Sequence, residues 1–248
     1  MPERTFRLAL LTLGAGLLLA AGLGAAVYRG WLRFNYPSRA EFPVQGIDVA
    51  HHQGLIRWAE VDTQQVQFVY IKATEGGDYR DPRFAQNWRE ARQRGLAVGA
   101  YHFFTFCRSG AEQARNFVAT VPAEPATLPP VIDLEFGGNC RARLRPEQVR
   151  AEIDTLRQAL ARHYRRPPVF YVTAEFYETY LAGHFPGAPI WYRDIYRRPR
   201  PLDKRPWLFW QYANRGHRPG IDGYVDLNAF HGSRAQFRAL LGGAGLRP

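Results

Sequence analysis

Val131-Ile132-Asp133-Leu134-Glu135-Phe136 is an apolar run broken by two carboxylates at alternate positions. On an extended chain residues i and i+2 face the same side, so Asp133 and Glu135 stand together with Cα atoms roughly 6–7 Å apart. Apolar neighbours on both sides mark a strand buried on both faces, as in a parallel sheet covered by helices. Two like charges side by side in such a place are costly, and one carboxyl is expected to keep its proton above the ordinary carboxylate range. A protonated acid beside an ionised partner suits cleavage of a glycosidic bond, where the acid protonates the leaving oxygen and the anion supports an oxocarbenium-like centre. The alternative is a pair of surface or salt-bridged acids without chemistry.

Similar apolar runs recur on either side of this one. Residues 44–49, 67–73, 96–104 and 168–173 read, with 130–136, as five strands. Helical patterns lie among them. Asp81-Pro82 opens a helix with Phe84, Trp88 and Ala91 on one face, and Gly95 closes it. Ser109 and Glu112 form a capping box ahead of an inward Phe117. Pro146 starts a longer helix striped by Val149, Ile153, Leu156 and Leu160. After Tyr180 the helical patterns fade, while strand-like pieces return at 189–193, 207–212 and 223–227, and Ser233 caps a final helix with Phe237 and Leu241. Alternating strands and helices make a parallel β/α protein. The expected fold is α/β, an irregular TIM-like β/α barrel of about eight strands, the last three lacking regular helices. A doubly wound open sheet is the second choice.

In a β/α barrel the functional face is the rim at the C-terminal strand ends. Asp48, Glu75, Tyr101, Phe103, Asp133, Glu135, Tyr171, Trp191, Arg193, Gln211, Tyr212 and Asp226 all fall at or near such ends in this layout. Asp48 and Asp226 add two acids to the central pair, each with a turn or cap as its plain alternative. Tyr101, Phe103, Tyr171, Trp191, Trp210 and Tyr212 are candidate walls for sugar rings. Trp210-Gln211-Tyr212 cannot all face one way on a strand, so only part of that set reaches a substrate.

The 248 residues, 46% hydrophobic and 14% aromatic, suit one sizeable core. Residues 8–27 are apolar and uncharged, flanked by Arg4, Arg7, Arg29 and Arg33. Their length matches a spanning helix better than a signal peptide's shorter apolar region. Residues 1–28 therefore read as a membrane anchor or signal segment, 29–42 as a short stalk and 43–248 as the catalytic barrel, outside the cytoplasm in the cell envelope or secreted after cleavage.

The formal charge of +11 invites a nucleic-acid reading, but export favours anionic wall polymer or lipid, or charge that serves only solubility. Arg141, Arg143, Arg145 and Arg197, Arg198, Arg200 read as solvated surface on the last view. Cys107 and Cys140 are the only cysteines. They are either a disulfide of an oxidising compartment or two free thiols. No cofactor is expected. Adjacent His51 and His52 lack a metalloprotease spacing, no Gly-x-Ser-x-Gly elbow or phosphate loop is present, and a Cys107–His102 nucleophile pair is a remote option. A monomer is expected.

Gly46-Ile47-Asp48-Val49 with Gln53-Gly54, Ile71-Lys72-Ala73-Thr74-Glu75-Gly76, Gly99-Ala100-Tyr101-His102-Phe103, Asp133-Leu134-Glu135, Trp210-Gln211-Tyr212 and Val225-Asp226-Leu227-Asn228 follow one another in an order that resembles the glycoside hydrolase family 25 muramidases, the CH-type lysozymes. The resemblance runs from about Gln45 to the end of the chain. It implies an irregular β/α barrel and hydrolysis, with retention, of the β-1,4 bond between N-acetylmuramic acid and N-acetylglucosamine in peptidoglycan glycan strands. It also implies Glu135 as general acid/base, with Asp133, Asp48 and Asp226 as supporting acids. Whether Asp133 attacks as nucleophile or an acid orients the substrate's 2-acetamido group stays open. Two departures stand out: Ala50 replaces a common Ser, and Trp191-Tyr192-Arg193-Asp194 is more polar than the usual sixth strand, which puts that subsite's specificity in question. A sugar-binding module without activity and a hydrolase of another acetamido-sugar polymer are the competing readings.

Overall fold

The computed structural model describes residues 2–141 and 144–242; Arg143 therefore lies outside the described residues. The chain divides after Tyr36 into two units. The first contains α1 (Pro2–Tyr28), an uninterrupted apolar helix of mean hydropathy 2.1 over its best window, long enough to cross a membrane. The second begins at Pro37, earlier than the expected boundary at 43. Phe42 is buried there against Trp207 and Trp210, and Arg39 donates to the backbone carbonyls of Gln64 and Gln65.

The second unit is a closed barrel. Its strands are β1 (Gln45–Val49), β2 (Phe68–Glu75), β4 (Ala97–Phe103), β5 (Val131–Leu134), β6 (Val169–Thr173), β7 (Ile190–Arg193), β8 (Phe209–Gly216) and β9 (Val225–Phe230), while the two-residue β3 (Tyr79–Arg80) folds back on β2 outside the ring. β1 pairs with both β2 and β9, which closes the ring and removes the open-sheet alternative. Neighbours from β1 round to β8 are parallel, but β9 runs antiparallel to both β8 and β1.

Helices cover only part of the ring. α2 (Phe84–Gln93), α3 (Gly110–Thr120) and α4 (Pro146–Tyr164) follow β3, β4 and β5, and α5 (Ala174–Phe176) after β6 runs on into a wider turn over Tyr177–Leu181. The β1–β2 crossover holds only two 3-10 turns, at His51–Gln53 and Trp58–Glu60. The expected Ser109–Glu112 capping box and the Val149, Ile153, Leu156, Leu160 stripe are present. α2 starts at Phe84, later than expected, because Asp81 is used in a turn, accepting from the amides of Arg83 and His51.

The barrel interior is filled by rings set beside glycines. Gly46 pairs with Phe68 and Gly99 with Tyr70, and a Cβ at either glycine would lie 2.4 Å or 2.3 Å from those residues. Only glycine lets Phe68 and Tyr70 turn inward, where they meet Trp191, Phe209 and Phe230. α6 (Arg234–Leu241) closes the opposite end with Phe237 and Leu240. The upper end is thereby left to polar side chains.

Candidate active site

The inward positions nearest the C-terminal strand ends carry Asp48 on β1, Lys72 on β2, Tyr101 and Phe103 on β4, Asp133 on β5, Tyr171 on β6, Arg193 on β7, Gln211 on β8 and Asp226 and Asn228 on β9. Asp226 reaches this rim as the second residue of a reversed strand and pairs directly with Asp48. An all-parallel layout puts it at a strand end; the rim is the same, the route opposite. Glu135 lies just past the end of β5 and stays half-buried.

A chain of hydrogen bonds fixes Asp48. Its Oδ2 accepts from Asn228 Nδ2 at 2.7 Å and from Gln211 Nε2 at 3.0 Å. Trp191 Nε1 donates to Asn228 Oδ1 at 2.9 Å and the Tyr171 hydroxyl donates to Gln211 Oε1 at 3.0 Å, so each amide can only present its NH2 to Asp48. Burial pushes the Asp48 carboxyl up, opposed by these two amides and by a hydrogen bond to Asp226. Burial and then the Asp48 charge hold Asp226 well above the usual carboxylate range. Of this pair Asp226 keeps the proton.

Asp133 and Glu135 share the same electrostatic pressure. Burial, then Glu135, holds Asp133 well above its ordinary range. Glu135 is raised by burial, with Arg193 the strongest opposing charge. Asp133 Oδ1 is buried without a hydrogen-bond partner among the described residues. Lys72, with its side chain 10% exposed, donates to Glu75 at 2.7 Å and lies over the Phe103 ring. A bulge between Lys72 and Thr74 turns both Lys72 and Glu75 toward the rim.

Asp48, Tyr101, Val131, Asp133, Glu135, Tyr171, Trp191 and Asp226 enclose a cavity of about 110 Å³. It shares Glu135, Tyr171 and Asp226 with a groove of about 890 Å³ that runs past Thr173, Glu175, Arg193, Tyr196, Arg197 and Asn214. The acid-lined pocket thus opens into the larger groove through Glu135, Tyr171 and Asp226.

Not every candidate arrives there. Trp210 and Tyr212 point away from the barrel into its outer layer, Trp210 donating to the Asp194 carbonyl at 2.7 Å and Tyr212 to Gln45 at 3.4 Å. Gln211 between them points inward, as alternation requires. Glu75 stays with Lys72 on the rim and lines neither cavity nor groove. His102 faces outward, taking a bond from Thr74 at Nδ1 and giving one to Gln113 from Nε2, and burial takes it down to about 4. Cys107 is bonded to Cys140, which removes the thiol-nucleophile option. Lys72 and Asn228 join the site without having been singled out in the sequence, although a lone lysine inside an apolar strand is itself a signal.

The chain matches the family model described as Glycosyl hydrolases family 25 over residues 47–221. The chain belongs to glycoside hydrolase family 25. This family 25 chain is 35% identical to Lysozyme M1 of Streptomyces globisporus over 241 residues, 92% of this chain and 80% of that protein. It is equally 35% identical to the uncharacterized protein YegX of Escherichia coli K12 over 221 residues, 87% of this chain and 80% of that one. Among solved structures it is similar to a family 25 glycosyl hydrolase from Bacillus anthracis, with a TM-score of 0.77 and 36% identity, covering 84% of this chain and 97% of the other. The family's irregular barrel is thus the fold found here.

Proposed function

We propose that this family 25 chain is a peptidoglycan hydrolase, an N-acetylmuramidase cutting the β-1,4 bond between N-acetylmuramic acid and N-acetylglucosamine with retention. The observation that carries it is Glu135 at the junction of cavity and groove, its carboxyl raised and without a hydrogen-bond partner among the described residues. A raised carboxyl at the opening of a buried acid pocket can protonate a leaving glycosidic oxygen and then deprotonate water. Asp48 and Asp226 bound the sugar whose anomeric carbon reacts, and Tyr101 and Tyr171, raised well above phenol's ordinary range, remain hydrogen-bond donors.

Asp133 acts in one of two ways. It attacks the anomeric carbon, or it orients the 2-acetamido group, whose oxygen then attacks. Both routes use the Asp133 carboxylate, as nucleophile or as acceptor for the acetamido N–H, so burial raises the cost of either and leaves the two routes open. No metal or cofactor enters either route.

The apolar α1 and the Cys107–Cys140 disulfide support a site of action outside the cytoplasm, with residues 8–27 as the membrane segment. The deciding experiment treats purified sacculi with the full chain in detergent and weighs the fragments. Muramic acid at the new reducing end, lost in Glu135→Gln, is the expected result. Binding to sacculi with no new reducing end at any pH would leave a sugar-binding module, and equal cleavage of chitin oligomers would widen the substrate class.

A further inference from the structure

One cation in the groove, Arg193, has no hydrogen-bond or ion-pair partner among the described residues. Arg193 ends β7, faces inward between Thr173 and Gln211 on the adjacent strands, and lines the groove with Glu135 and Asp226. Among the described residues no hydrogen bond or ion pair engages its guanidinium. Its natural partners are already occupied. Gln211 bridges Tyr171 and Asp48. The adjacent Asp194 carboxylate accepts from the amides of Tyr196 and Arg197, each at 3.0 Å, and faces Arg197 Nε at 3.5 Å. That local turn leaves Tyr196, 85% exposed, on the same groove wall. Glu135 and Asp226 feel the Arg193 charge without pairing with it.

A half-buried guanidinium has five donors in a rigid fork that matches a carboxylate. We propose that Arg193 binds a free carboxylate on the sugar held beside Glu135, namely the lactyl carboxylate of a muramoyl residue that carries no stem peptide. The proposal rests on the muramidase reading above. The lactyl arm leaves C3 of the same ring whose C1 is cleaved, so its carboxylate lies within a ring's breadth of the acid. On a peptide-bearing strand that carboxyl is an amide and offers no charge. Arg193 thus selects peptide-free glycan, with Tyr196 offering a ring face beside it.

The test uses the full chain in detergent with two glycans. One is amidase-stripped strands with free carboxylates, the other the same strands capped as methylamides. Wild type is expected to favour the free carboxylate in kcat/KM by about tenfold to a hundredfold, the range of a charge-assisted pair. Arg193→Gln brings that ratio to about one, and Arg193→Lys keeps part of it. An unchanged ratio in Arg193→Gln, or a ratio near one in wild type, overturns the proposal. In that case Arg193 only balances the acids, and its loss shifts the pH profile equally on both glycans. The two glycans are also compared by Kd in a Glu135→Gln background with and without Arg193→Gln. If wild type cleaves neither glycan the muramidase reading fails, while this binding ratio still decides the carboxylate site.

Discussion

Glu135 and Asp226 are both raised carboxyls, and both favour low pH, the one for activity and the other for stability. Glu135 serves as an acid only while protonated, so activity falls as pH rises through its raised value. An alkaline limb above the ordinary glutamate range of about 4.3 is expected in kcat/KM on sacculi; a profile flat from pH 5 to 9 counts against Glu135 as proton donor. Glu135→Gln is expected to cost about 10²–10⁴ in rate, the usual worth of a positioned acid. Asp226 bears on stability instead. Its folded-state value lies well above the unfolded one, so between the two the native state binds more protons and stability falls as pH rises. Asp226→Asn removes that loss while leaving an NH2 for Asp48. A Tm gain on the order of 2–4 °C is expected at pH 8, shrinking as pH falls and vanishing below about pH 3, where both states hold the proton. The same gain at both pH values would refute desolvation of the charge as its origin.

At the level of strands and loops, the segment after Glu135 is held twice. Asn139 donates to the carbonyls of Phe104 and Glu135 and accepts from the amides of Phe106 and Cys140, and the disulfide joins the β4 and β5 loops beside it. Closing a loop of 33 residues stabilises by about 3–4 kcal/mol in the chain-entropy model. Cys107→Ser with Cys140→Ser should therefore lower the urea midpoint by a corresponding amount, and reductant should do the same to wild type only. The strands themselves are readable in the sequence because their apolar runs are short and separated by caps and turns. What a run buried on both faces conceals is which face is inside. Trp210 and Tyr212 look as available as Gln211 because either alternation leaves apolar side chains buried. The Lys72 bulge and the reversal of β9 are set by cross-strand pairing, which no local pattern records. Asp48, Asp133 and Glu135 are legible for the contrary reason: a carboxylate inside an apolar strand is too costly to bury unless it is paired or put to chemical use.

For the whole molecule, an excess of Lys and Arg giving +11 and an apolar N-terminal helix both favour an anionic surface. The full chain is expected to sediment with membranes, resist carbonate extraction and keep its N-terminal mass. Release as a shortened soluble form would indicate that residues 1–28 act as a signal. The proposed export also bears on the order in which the barrel is completed. β9 lies between β1 and β8, so the first and the penultimate strands meet only through the last strand to be made. That strand supplies Asp226, and Asn228 to orient Asp48. While the chain is still leaving the ribosome or crossing the membrane, Asp133 and Glu135 are present but the ring is open and half of the acid quartet is missing or unoriented. For a hydrolase of the kind proposed, the acid site is complete only once this last strand has closed the ring between β1 and β8.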